Sequence, residues 1–393
     1  MNSDFYWPLM HDAITTEDRT DLIEFLSNEN NRLTNGVKVV EFEQLWSNWL
    51  GVKYSVMVNS GASANDLTLL ALKELHGIGE VIVPPLTWVS DVASIINAGL
   101  KPIFVDIDLD TLAISAEKIQ NALNKKTKAV FLTHILGLNG LNNKIIEVID
   151  NSNAILIEDA CESHGAKFNG KNVGTFGVVS NFSFYYAHHM TTIEGGAIST
   201  SNEEWRDALV MMRSHGLVRE SKNVRIKSNY QKKYPELNPE FTFAYASHNM
   251  RPTELNAVLG ISQLKRIDSN IRIRKDNFDY FLSELDSNQY KTDFETEGNS
   301  NYALIIILRN PDINKKNYIE AELKRNKIEF RKGLAGGGNQ LRQPYLINKY
   351  GQFDLDKFPN VEHVHSFSWY VGNYPGLARE KIDRLLEILN RAK

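Results

Sequence analysis

Through the first half of the chain, short apolar runs alternate with stretches of helical period, and this alternation decides the fold class. Val56-Met57-Val58, Val81-Ile82-Val83, Pro102-Ile103-Phe104-Val105, Ala129-Val130-Phe131-Leu132 and Ile155-Leu156-Ile157 read as strands buried on both faces. Helix-like stretches lie between them, including Ser63 to Leu75, Glu117 to Leu123 and Lys144 to Asp150. A strand–helix–strand repeat predicts an α/β fold whose mainly parallel sheet has helices on both faces. Sites in such sheets gather beyond the carboxyl ends of the strands. The polar residues just after each apolar run therefore carry the functional signal.

The 393 residues exceed one simple core. They predict a large domain over 1–255, then a long connecting helix and a smaller C-terminal α+β domain over 256–393. Lys222 to Phe241 is polar, holds two prolines, and reads as a long exposed loop. From Pro252 to Leu285 an amphipathic pattern through Leu255, Val258, Leu259, Leu264 and Ile267 predicts one long helix. Then follow a strand at Ala303 to Leu308, a helix from Lys315 to Asn326, a glycine-rich loop at Gly333 to Gly338, and a last helix from Ala378 to Arg391.

A net charge of −4 gives no electrostatic case for nucleic acid or an anionic membrane. No apolar run reaches the roughly 20 residues of a membrane helix. Met1 to Phe5 lacks the basic-then-apolar pattern of a signal peptide, so a cytoplasmic protein is expected. The single cysteine, Cys161, excludes an internal disulfide and a cysteine-ligated iron–sulfur cluster within the chain.

Four places could carry chemistry. Gly61, Ala62 and Ser63 follow a strand and open a helix, where small residues let backbone N–H groups approach a phosphate; the same residues would serve an ordinary serine-capped turn. Asp159, at a strand end, can pair with a protonated ring nitrogen, or cap a helix; Glu162 faces a reacting centre or solvent. Trp88 can stack on a flat ring or fill a core. In the strip from Ser183 to Gly196, Ser183 offers a hydroxyl, and Gly195-Gly196 allows a tight turn. His188 and His189 would point opposite ways along an extended chain, so one of them faces the site. No cysteine or carboxylate follows the histidines at ligand spacing, so no metal is expected.

These pieces occur in one order together with Leu33-Thr34-Asn35-Gly36, Val40-Glu41-Phe42-Glu43, Arg213-Ser214-His215-Gly216 and His248-Asn249-Met250-Arg251-Pro252-Thr253-Glu254. The ordered set resembles the DegT/DnrJ/EryC1/StrS family of nucleotide-sugar aminotransferases. That resemblance implies the aspartate aminotransferase-like fold (fold type I) and pyridoxal phosphate (PLP). It assigns the phosphate to Ser183 and the Gly61-Ala62-Ser63 turn, the ring face to Trp88 and the ring nitrogen to Asp159. Glu162 joins the cofactor set. Asn249 would reach a phosphate in the neighbouring subunit, implying a homodimer with shared active sites. His215, Arg219 and Arg342 are candidates for the substrate.

His188 stands where that family carries its cofactor-binding lysine. An imidazole cannot hold a stable Schiff base but can move protons near neutral pH. The exchange resembles the family's nucleotide-sugar 3-dehydratase branch. The expected reaction removes the C3 hydroxyl of a nucleotide-linked 4-keto-6-deoxyhexose, with glutamate converting PLP to pyridoxamine phosphate (PMP). Gly336 to Tyr345 and Trp369 to Leu377 look more like the branch member that takes a CDP-sugar and carries an iron–sulfur cluster. Ser221 to Tyr230, without a thiol, replaces its cluster loop, so no cluster is expected and GDP versus CDP stays open. Two other readings remain: an aminotransferase using histidine, and an inactive PLP-binding regulatory protein.

Overall fold

The computed structural model describes residues 6–392; the reading of Met1 to Phe5 lies outside them. Strands form at each of the five apolar runs: β1 (Tyr54–Val58), β2 (Glu80–Val83), β3 (Lys101–Phe104), β4 (Thr127–Thr133) and β5 (Ile155–Asp159). A two-stranded hairpin follows, β6 (Lys167–Phe168) with β7 (Lys171–Asn172), then β8 (Val179–Ser183) and β9 (Gly196–Thr200). The main sheet has the order β1-β9-β8-β5-β4-β2-β3. Six of its seven strands, β1, β8, β5, β4, β2 and β3, point the same way, while β9, between β1 and β8, is antiparallel to both.

Helices α1 (Thr16–Ser27) and α2 (Val37–Leu50) precede the sheet; α3 (Gly61–His76), α4 (Val89–Asn97), α5 (Ala116–Ala122) and α6 (Asn143–Asp150) make crossovers. Next come α7 (Glu203–Met212), α8 (Val224–Lys233), α9 (Glu254–Leu264) and α10 (Ile267–Glu284). The C-terminal part builds a second, antiparallel sheet from β10 (Ala303–Ile307), β11 (Phe330–Lys332) and β12 (Ser368–Gly372), with β12 central. Its helices are α11 (Ile313–Arg325), α12 (Pro344–Tyr350), α13 (Pro359–Phe367) and α14 (Arg379–Asn390).

Burial on both faces explains the continuous apolar runs. Val81, Val83, Ala129 and Phe131 join the core on one side with Leu67 and Leu72 of α3. Their neighbours Ile82, Val130 and Leu132 join the other, with Ile119 of α5 and Ile145 of α6. Each of the larger side chains, Val, Leu, Ile or Phe, contributes roughly 1.5–3 kcal/mol on burial. Under the β1–β9–β8 edge, Trp46 of α2 meets Phe182 and Phe184 edge-on, both with ring centroids 5.0 Å away.

Two long-range ties join segments far apart in sequence. Gly36 precedes α2 and offers no side-chain cap. The buried Glu254 caps that helix instead, accepting from the amides of Gly36 at 2.9 Å, Lys38 at 2.8 Å and Val39 at 2.9 Å. A carboxylate against a helix N-terminus satisfies orphan donors and meets the positive end of the dipole. Similarly, Glu43 takes Arg213 Nη1 at 2.6 Å and the Met57 amide at 2.8 Å, locking α2 to β1 and to the segment after α7.

Two expectations are corrected. Lys222 to Phe241 is not all loop: it contains α8, capped by Asn223, which accepts from the Arg225 amide at 3.0 Å. None of its residues is buried, so it has no apolar stripe to betray it. The single helix expected from Pro252 to Leu285 is two, α9 and α10, broken at Lys265–Arg266. Arg266 leaves the helical region (φ −120°, ψ 5°) and pairs with the buried Asp18 of α1.

Candidate active site

Three chain segments converge at the carboxyl ends of β1, β5 and β8. The first is the start of α3. Ser60 caps it, accepting from the Ser63 amide at 3.0 Å. Gly61 is glycine for space: a Cβ there would lie 2.5 Å from Ser183 Cβ and 3.0 Å from its hydroxyl. Gly196 is equally confined, since its Cβ would lie 2.4 Å from Ser60 O. Gly195 and Gly196 thus serve close approach, with no left-handed turn at either residue. Ser183 ends β8, so its hydroxyl stands beside the first turn of α3. A helix N-terminus with a buried hydroxyl beside it is suited to phosphate.

Asp159 ends β5 and is 3% exposed. Its Oδ1 accepts from the Cys161 amide at 2.8 Å, and its Oδ2 from Asn65 Nδ2 at 3.1 Å. Its neighbour Glu158 points the other way and organises a loop, accepting from the amides of Gly174, Phe176 and Gly177 at 2.6–2.9 Å. Of the two adjacent acids, Asp159 is therefore the one available to a ring nitrogen. Glu162 lies close by, and burial together with the Asp159 charge pushes its carboxyl up to about 7.

The strip from Ser183 to Gly196 is a chain of turns rather than an extended strand, which corrects the reason expected for the two histidines parting, yet only one of them is left for the site. His188 N–H bonds Tyr185 O at 3.0 Å, and His188 Nδ1 bonds Ser183 O at 3.0 Å. Because a carbonyl only accepts, Nδ1 carries the proton and Nε2 has the free lone pair. Burial pulls the imidazole down to about 4 despite the Ser183 bond, with Arg274 adding to the depression. His189 is spent elsewhere: its Nε2 bonds Ser300 O at 2.8 Å.

Trp88 precedes α4 and is 52% exposed, so it is not a core residue. It lines a cleft of about 430 Å³ with Arg331, Lys332, Gln343, Tyr345 and Tyr370. The other expected residues sit apart. Arg342 lies outside that cleft lining and forks onto Glu362, with Nε to Oε1 at 2.9 Å. Arg219 lines a separate cleft of about 410 Å³ with Lys227 and Tyr230, and stacks on Phe241 at 5.3 Å. His215 and Asn249 are exposed on neighbouring segments, joined by the Ser214–Asn249 bridge.

Several residues that sequence reasoning passed over belong to this region. Asp91, fully buried, accepts from Asn65 Nδ2 at 2.6 Å and from the Thr133 hydroxyl at 2.9 Å, and also from Thr87. Burial, then the nearby Asp159, holds its carboxyl well above the usual range. Asn65 thus bridges Asp91 and Asp159, and is itself oriented by Asn181 at 2.8 Å. No local signal announces such a network, although Asn65 and Thr68 on an otherwise apolar helix face were visible. Arg274 and Tyr302, from the second half of the chain, close over His188.

Comparison with known proteins agrees with this geometry. Residues 13–390 match the model of the DegT/DnrJ/EryC1/StrS aminotransferase family. The chain is 32% identical over 372 residues to GDP-4-keto-6-deoxy-D-mannose 3-dehydratase of Escherichia coli O55:H7, covering 92% of this chain and 94% of that protein. The protein of the same name from Yersinia pseudotuberculosis is 31% identical, with 92% and 93% covered. The solved E. coli GDP-4-keto-6-deoxy-D-mannose-3-dehydratase with bound hydrated PLP superposes with a TM-score of 0.89 at 31% identity, covering 98% of this chain and 99% of that one.

Proposed function

The chain belongs to the DegT/DnrJ/EryC1/StrS aminotransferase family, and from that premise we propose that it is a PLP-dependent nucleotide-sugar 3-dehydratase. It removes the C3 hydroxyl from a nucleotide-linked 4-keto-6-deoxyhexose and leaves a 3-deoxy-4-keto sugar, with glutamate as amino donor. The carrying observation is His188: it occupies the lysine position of the family strip, buried, with Nδ1 tied to Ser183 O and Nε2 left free.

The residues present fit the cofactor. Gly61 and Gly196 let the first turn of α3 pack directly against the Ser183 hydroxyl and the start of β9, and Asp159 ends the adjacent strand β5 with a buried carboxylate. When bound, PLP in its amine form supplies an electron sink next to the C4 carbon of the sugar. Ser183 with the Gly61-Ala62-Ser63 turn holds the phosphate. Asp159 keeps a proton on the ring nitrogen, and Trp88 covers the ring. His188 Nε2 accepts a proton and delivers one to the departing C3 oxygen. Because imidazole forms no lasting covalent bond to the cofactor, it does not displace the sugar as an aminosugar, and the C3 hydroxyl has time to leave. Glu162 joins the cofactor set.

On this reading residues 1–255 form the cofactor-binding unit, and 256–393 the connecting segment, now two helices, and the second unit; the two sheets share no strand, which supports the division. The protein works as a homodimer in the cytoplasm. Exposed Trp88, Tyr185, Ile193, Phe241 and Phe243 support the dimer as surface that needs cover. Asn249, exposed on the chain, would reach the partner's phosphate. Among the described residues no helix is long and apolar enough to cross a membrane. The reaction needs no iron–sulfur cluster, in keeping with one cysteine in the chain.

The test is incubation with PLP, glutamate and a panel of GDP- and CDP-linked 4-keto-6-deoxyhexoses, with mass spectrometry of the products. The expected product lacks one oxygen and holds no nitrogen on the sugar, and ammonia is released. An aminosugar product refutes the dehydratase. His188→Lys should abolish or sharply reduce dehydration; unchanged 3-deoxy product from that variant refutes the role of His188.

A further inference from the structure

One interior charge has no ionic partner among the described residues. Arg274, on α10, is 4% exposed. Its guanidinium donates to backbone carbonyls alone: Nη1 to Tyr302 O at 3.0 Å and to Asn373 O, and Nη2 to His188 O at 3.2 Å. Its Nε is buried without a partner. Tyr302 leads into β10 and Asn373 follows β12, so the side chain ties the histidine strip to the second sheet. Asn373 returns the contact, its amide reaching Arg274 O at 2.9 Å and Asn301 O at 3.1 Å.

A buried cation without a counter-ion is costly. An amide side chain could bridge the same carbonyls at a smaller desolvation cost. What only the cation adds is a fixed charge, held on the backbone carbonyl of His188 itself, in a region with three imidazoles. His164 lies 6.1 Å from His188, ring to ring, and His189 lies 5.2 Å from His164. The remaining faces of His188 are met by Tyr185 at 5.7 Å, Tyr302 at 5.4 Å and the carbonyl of Ser183. Burial is the largest influence that keeps the ring neutral, and Arg274 adds to it; Asp159 is the anion that acts the other way, favouring the protonated ring. Burial lowers Arg274 only to about 10, so it stays charged at neutral pH.

We propose that Arg274 is a positioning residue for proton transfer at His188: it pins the His188 carbonyl to the second sheet, and its charge keeps Nε2 free of a proton. The inference rests on the assignment of His188 as the base. It adds to burial in keeping the imidazole ready to accept against the pull of the Asp159 charge.

The test uses holoenzyme with 15N-labelled histidine, and His188→Asn to assign the His188 resonance. In Arg274→Met the protonation midpoint of His188 should rise by about one pH unit, and the acid limb of kcat/KM should move with it. Arg274→Lys, which keeps a charge, should return both toward the wild-type values. An unchanged midpoint in Arg274→Met overturns the proposal, even where melting temperature and kcat fall, because lost packing alone predicts that pattern. Should Arg274→Met not fold, the wild-type titration decides: a His188 midpoint at or above its ordinary value of about 6.5 overturns the proposal. Full dehydration by His188→Asn would sink the base assignment itself with Arg274 in place, so the two failures are told apart.

Discussion

Replacing Gly61 with alanine probes the proposed phosphate cradle without touching a charge. The new Cβ would lie 2.5 Å from Ser183 Cβ, 3.0 Å from its hydroxyl and 3.1 Å from Cys161 Sγ. No carbon pair rests at 2.5 Å, so the end of β8 or the start of α3 must move. Neither has slack: Ser183 pairs with Gly196 in β9, and Gly196 abuts Ser60 O. Overpacking of this kind costs about 1–3 kcal/mol. A displaced Ser183 hydroxyl also loses a hydrogen bond to a charged phosphate, about 1.5–3 kcal/mol, or roughly ten- to a hundredfold in affinity. Titration of cofactor-free protein with PLP, read by fluorescence quenching, measures the loss, with urea unfolding run in parallel. The same substitution in a Ser183→Gly background should cost at least about 1 kcal/mol less, because the atoms in collision are gone. Unchanged PLP affinity in Gly61→Ala, or an equal loss in both backgrounds, refutes the cradle.

Two further expectations concern stability. Burial holds folded His188 near about 4, while the unfolded chain takes its proton near about 6.5. The unfolded state therefore binds the proton first as pH falls, and stability is lost progressively across that window, by roughly 3 kcal/mol for this group. His188→Asn lacks this contribution, so the unfolding free-energy gap between cofactor-free wild type and variant should change by about that amount between pH 7.5 and pH 4; a constant gap rules the burial out. Glu254→Ala should lower the urea-derived unfolding free energy by about 3 kcal/mol, since three amides lose their acceptor, and Glu254→Gln should lose less; no change in either would mean that the α2 cap is supplied elsewhere.

The parallel strands were legible because burial on two faces leaves an unbroken apolar run, as at Val81-Ile82-Val83. β8 was not, because Ser180, Asn181 and Ser183 break its run. Those polar residues are tolerated because they are bonded: Ser180 Oγ to Gly174 O at 2.7 Å, and Asn181 to Asn65 and Thr68. The same limit applied to helices. α8 has no buried residue to set a period, and the break before α10 follows from Asp18, which lies 248 residues from Arg266. In the site, the polar residues at strand ends (Asp159, Ser183) and the odd histidine could be read from the chain. Asp91, Asn65 and Arg274 could not, because each takes its meaning from side chains or carbonyls that only the fold brings near. Glu254 is intermediate: it stood out within an ordered motif, but its work on α2, 218 residues from Gly36, was invisible in sequence.

Ser183 has two ends, and both face the reaction. Its hydroxyl stands beside the first turn of α3, while its carbonyl, on the same residue, bonds His188 Nδ1 and so sets the tautomer of that imidazole. On the proposed function, one residue thus links the place where the coenzyme is gripped to the place where its carbon is worked upon. An engineer who relocates the phosphate grip by moving this residue will shift the acid–base tooth by the same stroke.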